Sequence, residues 1–495
     1  MTERLSSARL SALPAEVAVP AHDCGAVRCG VVHLGVGAFH RAHQAVVFDD
    51  ALASGDLRWG VIGASLRSPD VRDQLNPQDG LYSVVVREGD RRDVRIVGAI
   101  RQVLVAPEDP AALVAAMAGP DVHIVTLTVT EKGYRLDPAS GALMTGAPDV
   151  AADLADLSAP RTAPGFITAA LARRKAAGLA PFTVISCDNL PHNGARIRQA
   201  VLDMAGRVDP SLRGWIEKNG AFPQTMVDRI VPATTAEDRA ELQALLGVSD
   251  HGIVKTEPFT QWVIQDWFAG PRPDFESLGV QITADVAPWE DAKLRLLNGA
   301  HSAIAYLGGL AGLEFVDQVV GVPAYARFVD ALWDEAESTL DPPPGLDVAA
   351  YRGDLMRRFA NSALQHRTRQ IAMDGSQKLP QRLLAACATR LERNQPIGAL
   401  ALAVAGWMRW QDGVDDAGSA FVVDDPLAVE TARLVGGGGP SEARVAALLS
   451  LSAVFPPDLA SDERFAKAVT AAHLSLVERG AQGAVEAFVE SLPRS

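Results

Sequence analysis

Between residues 27 and 189 the chain alternates short β-branched apolar runs with longer segments whose apolar positions recur every three or four residues. VRCGVVHLGVG (27–37), LRWGVIGASL (57–66), VRIVGAI (94–100), VHIVTLTVT (122–130) and FTVISCDN (182–189) each predict a strand bounded by Gly, Asp or Asn. HRAHQAVVFDDALAS (40–54), PEDPAALVAAMAG (107–119) and TAPGFITAALARRKAAG (162–178) predict helices between them. Strand and helix in alternation imply crossover units and a largely parallel sheet, an α/β domain. After Pro288 the pattern changes to alanine- and leucine-rich windows at 289–313, 324–340, 349–372, 380–393, 397–410, 441–454 and 463–491, with no convincing strand between them. A mainly α-helical C-terminal domain follows, and the expected division is 1–287 and 288–495. DPPPGLDV (341–348) and GGGGP (436–440) read as loops.

Composition narrows the function classes. With 495 residues, 48% of them apolar and 21% charged, the chain is globular and too long for one ordinary core. Forty-six Lys and Arg against 60 Asp and Glu give a net charge of −14, and no long basic run breaks that balance, so nucleic acid is not expected as a partner. Four cysteines without a CxxC pair form neither a disulfide framework nor a zinc knuckle, and residues 1–20 lack a continuous apolar core. A cytoplasmic protein with reduced thiols is the expectation. The apolar stretch 296–313 is interrupted by Asn298, His301 and several Gly, which argues against a membrane span.

Two segments carry candidate chemistry. In HLGVGAFH, Gly35, Val36 and Gly37 follow a strand and precede a helix, as a turn that admits a pyrophosphate to backbone N–H groups must. His40 stands where the third glycine of GxGxxG would be, so the motif taken alone is weak. Asp70, beyond the second strand, suits the ribose hydroxyls of NAD and would repel a 2′-phosphate, although Arg67 beside it would suit one.

The second segment is DAKLRLLNGAHSAIAYLG (291–308). On an α-helix Asn298 lies about 140° and His301 about 80° around from Lys293, near enough for the three heads to converge. Pro288, Glu290 and Asp291 mark the start of that helix. Taken singly, each of the three has an ordinary explanation as a surface lysine, a polar helix residue or a packed histidine; together they point to chemistry. Oxidising an alcohol with a nicotinamide cofactor needs a base for the hydroxyl proton and donors for the developing alkoxide. No tyrosine has a lysine four positions later and no zinc ligand set is apparent, which leaves the lysine. Burial among Leu294, Leu296 and Leu297 would favour its neutral form.

The order of HLGVGAFHRAHQA (33–45), TVTEKGY (128–134), SCDNLPHNG (186–194), MVDRIVP (226–232), EPFTQWVIQD (257–266), KLRLLNGAHS (293–302) and DGSQKLPQR (374–382) resembles the polyol-specific long-chain dehydrogenases, which include mannitol 2-dehydrogenase and fructuronate reductase. The resemblance implies a Rossmann-type NAD-binding domain, a helical domain and a metal-free active site in the cleft between them. It implies Lys293 as general base, Asn298 and Asn189 as donors to the reacting oxygen, His301 as the residue that orients substrate, and Glu131 in proton exchange with solvent. Asp228 and Lys378 fall in blocks that line the polyol site, and Phe39 completes the cofactor loop.

One departure matters. The arginine that grips substrate hydroxyls in the mannitol enzymes is Gln370 here, with Arg367 and Arg369 beside it. HRTRQIAMDGSQKLPQR resembles the fructuronate reductase branch, whereas LRSPD and DNLPHNG look more like the mannitol branch. The expectation is therefore an NAD-dependent oxidation of a linear polyol at C2, D-mannitol to D-fructose, with D-fructuronate reduction as the alternative. In that alternative Arg367, Arg369 and Lys378 are the candidate partners of a carboxylate. A nucleotide-binding sensor without catalytic activity is the third reading.

Overall fold

The computed structural model describes residues 3–137, 140–436 and 438–493, so Gly437 of the GGGGP loop lies outside the described residues. The chain divides into two compact units, Met1–Val286 and Ala287–Ser495. The first contains eleven strands among the described residues: β1 (Val31–Leu34), β2 (Val61–Ser65), β3 (Tyr82–Glu88), β4 (Arg91–Val97), β5 (Ile100–Val105), β6 (Ile124–Leu127), β7 (Thr183–Ser186), β8 (Thr225–Asp228), β9 (Val254–Thr256), β10 (Gln261–Gln265) and β11 (Gln281–Thr283).

A five-stranded sheet in the order β5-β2-β1-β6-β7 is parallel throughout, with Val31 opposite both Val61 and Ile124 and Ile124 opposite Thr183. Both faces are covered. Val32, Leu34, Val125, Leu127 and Val184 pack with Phe166, Ile167 and Ala170 of the helix Ala163–Ala176, while Val31, Val61, Ile124 and Ile185 pack on the other side with Ala45, Phe48 and Leu52 of the helix Gln44–Ala53. Burial on both faces explains why VVHL, IVTL and TVIS are nearly unbroken apolar runs rather than alternating ones. Each such side chain contributes roughly 1.5–3 kcal/mol on leaving water.

The expected strand VRIVGAI is divided differently. Its first part ends β4, which turns back through Gly89 (φ 53°) to pair antiparallel with β3, in a separate sheet of order β4-β3-β9. Only the last residue, Ile100, belongs to the parallel sheet, as the start of β5. The apolar run crosses Gly98 and Ala99 without a polar break, so pattern alone fuses two strands. A third sheet, β11-β10-β8, sets Asp228 opposite Gln261.

The second unit is helical. All twelve residues of the helix Gly299–Leu310 are buried, which accounts for its apolar sequence. It packs against the helices Thr368–Ala372 and Gly398–Trp410. Close approach requires small residues: a Cβ at Gly406 would lie 2.9 Å from Leu307 Cδ2, and one at Gly309 would lie 2.7 Å from the Trp410 ring. Among the described residues no helix is long and apolar enough to cross a membrane.

Candidate active site

In the first unit a cavity of about 430 Å³ opens at the C-terminal ends of β1, β2 and β6. That end of a doubly wound sheet is where its ligands bind. Its walls include Gly35, Val36, Gly37, Ser65 to Ser68 and Thr128 to Thr130. Gly35 has φ +92°, and a Cβ there would lie 2.1 Å from the Thr128 carbonyl oxygen, so only glycine fits. Gly37 is exposed, and a Cβ there would meet nothing closer than the Gly35 oxygen at 3.8 Å. The backbone is thus open at the position a phosphate would approach.

His33 explains how the turn does without a third glycine. Its ring contacts Thr126 Oγ1 at 2.7 Å, Thr128 Oγ1 at 3.0 Å and the Gly35 carbonyl at 3.1 Å, and the His40 ring stacks on it at 3.4 Å. Burial pulls the His33 imidazole down to about 3 and His40 well below its ordinary value, so both are neutral plates beneath the loop. Phe39 stacks on His43 at 5.2 Å and is not among the lining residues. Asp70 is exposed and accepts a hydrogen bond from Ser68 Oγ; Arg67 and Ser68, not Asp70, line the cavity.

Three expected site residues lie at the C-terminal ends of β6, β7 and β8: Glu131 and Asn189 just after β6 and β7, and Asp228 as the last residue of β8. Asp188, which pattern reading passed over, ties them together. Its buried carboxylate accepts hydrogen bonds from Val129 N (3.1 Å), Thr130 N (2.8 Å) and Tyr134 Oη (2.9 Å). Asn193 Nδ2 donates to the Asp188 carbonyl at 3.0 Å and to the Thr225 carbonyl at 2.9 Å. Asn189 and Glu131 are exposed on this scaffold, Glu131 lying 3.8 Å from Arg196 Nη1, while Asp228 is buried at the end of β8. A buried, triply bonded carboxylate has no sequence marker beyond its place in SCDN.

In the second unit Lys293, Asn298 and His301 share one continuous helical run, and all three are buried. The run is not uniformly α-helical. Lys293–Asn298 forms a π turn, in which the Gly299 N–H reaches back five residues to the Leu294 carbonyl. A π turn takes about 4.4 residues, so Lys293 and Asn298 stand roughly 50° apart instead of about 140°. This corrects the expected geometry: the π turn brings the Lys and Asn of KxxxxN closer to one face than an α-helix would.

A second π turn, Pro380–Leu384, packs against the first. The approach is close: a Cβ at Gly299 would lie 2.9 Å from the Arg382 carbonyl oxygen. Around His301 stand Phe359 (rings 4.6 Å apart) and His366 (5.3 Å). His301 is driven well below its ordinary value, first by burial and then by His366, Arg358, Arg382 and Lys293. It is a neutral hydrogen-bonding group. Asn298 Oδ1, His301 Nε2, His366 Nδ1 and Arg382 Nε are all buried without a partner. Buried polar atoms are rarely left so in clusters, and a hydroxyl-rich ligand would satisfy them.

The residues expected to meet substrate from 367 to 378 separate. Lys378 is half-buried, donates from Nζ to the Met373 and Ile371 carbonyls, and is pushed down to about 8, chiefly by burial. Arg369 is exposed over the Phe421 ring, and Arg367 is exposed, paired with Glu314 and lying over Phe315. Arg382 and Arg358, not singled out in the sequence, are the buried arginines nearest His301 in electrostatic effect.

Comparison with known proteins follows this division. Residues 29–277 match the family model of the mannitol dehydrogenase Rossmann domain, and residues 285–477 that of the mannitol dehydrogenase C-terminal domain. The D-mannonate oxidoreductase of Escherichia coli (strain K12) is 45% identical over 477 residues, 95% of this chain and 98% of that protein. A mannitol 2-dehydrogenase of Pyrenophora tritici-repentis is 41% identical over 495 residues, 98% of this chain and 86% of that protein. The solved ternary complex of Pseudomonas fluorescens mannitol 2-dehydrogenase with NAD and D-mannitol superposes with a TM-score of 0.88 at 37% identity, over 99% of this chain and 100% of that one. The chain therefore belongs to the mannitol dehydrogenase family, with its Rossmann domain in the first unit and its C-terminal domain in the second.

Proposed function

We propose that this chain is an NAD-dependent oxidoreductase that interconverts a secondary alcohol and a ketone on a linear sugar-derived substrate, with Lys293 as general base. The observation that carries the reading is the buried lysine that a π turn brings round toward the face of Asn298. The cavity at Gly35 and Gly37 supports the cofactor, as does the relative solved with NAD and D-mannitol. When bound, the nicotinamide accepts or returns the hydride.

The chain's own residues handle the proton and the oxygen. In oxidation Lys293, starting as the neutral amine, takes the hydroxyl proton while the amides of Asn298 and Asn189 donate to the oxygen that becomes a carbonyl. In reduction the same ammonium returns the proton to the alkoxide. His301, neutral, orients a substrate hydroxyl. Exposed Glu131 passes the proton to solvent, and Asp228 and Lys378 hold the remainder of the substrate. Gly35, Val36 and Gly37 carry the pyrophosphate, and Asp70, bonded to the cavity-lining Ser68 but outside the lining itself, is the candidate for the ribose hydroxyls.

Two substrate pairs fit this chemistry: D-mannitol with D-fructose, and D-mannonate with D-fructuronate. LRSPD and DNLPHNG favour the first. Gln370 and the DGSQKLPQR block favour the second, as does the 45% identity to D-mannonate oxidoreductase. Following NADH oxidation with D-fructose and with D-fructuronate tests the reading. Turnover of at least one is expected; NADH binding with no turnover of any ketose or ketouronate would replace the enzyme with a sensor.

A further inference from the structure

Among the described residues of the second unit, Arg382 is a buried cation that the reaction above does not use. Arg382 is 91% buried, its residual exposure being 9%, and it makes a single hydrogen bond, from Nη1 to Ser302 Oγ at 3.1 Å. Nε has no partner, and no carboxylate pairs with the guanidinium. Burial pushes it down to about 10, with only Tyr306 acting in the opposite sense, so it is still charged at neutral pH. Asp374, Asp424 and Asp425 act on Lys378 instead, and Asp425 is itself bonded to Ser376.

An unpaired buried charge of this kind costs several kcal/mol unless a partner arrives. Where it sits decides which partner. Its backbone packs on Gly299, one residue past Asn298, its guanidinium bonds Ser302 on the helix that carries His301, and its charge acts on His301, so it lies in the interior beside the proposed substrate residues. A guanidinium fork matches a carboxylate with two parallel hydrogen bonds, and hydroxyl groups alone would leave the charge uncompensated. Arg367 and Arg369 are committed elsewhere, Arg367 to Glu314 and Arg369 to the Phe421 face.

Resting on the reaction proposed above, we infer that Arg382 is the specificity-determining residue of this site and receives a carboxylate at one end of the substrate. The preferred substrates are then sugar acids, ketouronates and the aldonates they are reduced to, over neutral ketoses and polyols.

The test compares kcat/KM for D-fructuronate and D-fructose with NADH, in the wild type and in Arg382→Gln and Arg382→Lys. The wild type is expected to prefer the ketouronate. In Arg382→Gln the preference ratio is expected to fall at least ~30-fold, mostly through KM for the acid, as loss of one charge-assisted pair requires. Arg382→Lys keeps the charge but loses the fork, so its ratio falls by a smaller factor in the same direction, and this variant decides the matter if Arg382→Gln does not fold. A ratio unchanged in the folded variants, or a wild type that turns over fructose but not fructuronate, would overturn the inference and leave the lysine chemistry standing. No turnover of either substrate would overturn the proposed reaction and this inference with it.

Discussion

Lys293 is 7% exposed, in a position where a lysine is seldom tolerated unless it is used. Replacing it with alanine removes the proposed base. The expected outcome is a fall in kcat of at least ~100-fold, measured by NADH oxidation on protein that a cooperative thermal transition shows to be folded. A rate within tenfold of wild type would remove Lys293 from the chemistry. At this scale the sequence singled out the lysine, the asparagine and the histidine, which the structure buries on one helical run, but not their relation. Treating 291–308 as a plain α-helix put Asn298 on the wrong bearing, because a π turn has no composition of its own and becomes visible only in the bond from Gly299 N–H to the Leu294 carbonyl. Arg382 was equally hidden. An arginine in KLPQR reads as a surface residue until the packing of the two π turns buries it.

At the scale of the element, the two glycines after β1 separate a folding role from a ligand role. Gly35→Ala places a Cβ against the Thr128 carbonyl at a positive φ, so both the unfolding temperature and the affinity for NAD are expected to fall. Gly37→Ala meets only the Gly35 oxygen at ordinary distance. Its unfolding temperature should match the wild type while the NAD dissociation constant rises at least ~10-fold, because the new methyl group stands where the pyrophosphate would approach. Thermal shift with and without NAD reads both quantities, and a Gly37→Ala protein that binds NAD normally would remove the loop from the cofactor site. The strand-turn-helix pattern at 31–42 was legible because glycine and β-branched residues mark it. The window 349–372 was less so: the chain breaks it into Val348–Phe359 and Thr368–Ala372, with Gln365 at φ 46° and Phe315 bridging to Arg367. No glycine or proline marks a break between 354 and 373; tertiary pairing makes it.

The whole molecule carries a liability to acid that neither motif nor strand order reveals. His33 and His40 are buried in the first unit and His301 and His473 in the second, where His366 is largely enclosed. Burial lowers all five, to about 3 for His33, about 4 for His366 and His473, and well below the ordinary value for His40 and His301. A histidine whose folded value lies below its unfolded one is protonated first in the unfolded chain. Stability from such a group is fully present above about pH 6.5, and it is lost as pH falls toward the folded value. Each fully contributing histidine gives a slope of roughly 1.4 kcal/mol per pH unit across that window. Burial raises the carboxyls of Asp153, Asp188 and Glu335, which act with the opposite sign in a window that opens upward from the ordinary carboxylate range. The histidine loss begins at about pH 6.5 and steepens toward about pH 5, where the imidazoles are protonated in the unfolded chain and still neutral in the folded one. Urea unfolding at pH 7.5, 6.5, 5.5 and 5.0 should show midpoints that fall steeply through that interval in both units. His33→Gln and His366→Gln should flatten the dependence in the unit that carries each. A midpoint level down to pH 5 would mean that these imidazoles are not held neutral in the folded chain.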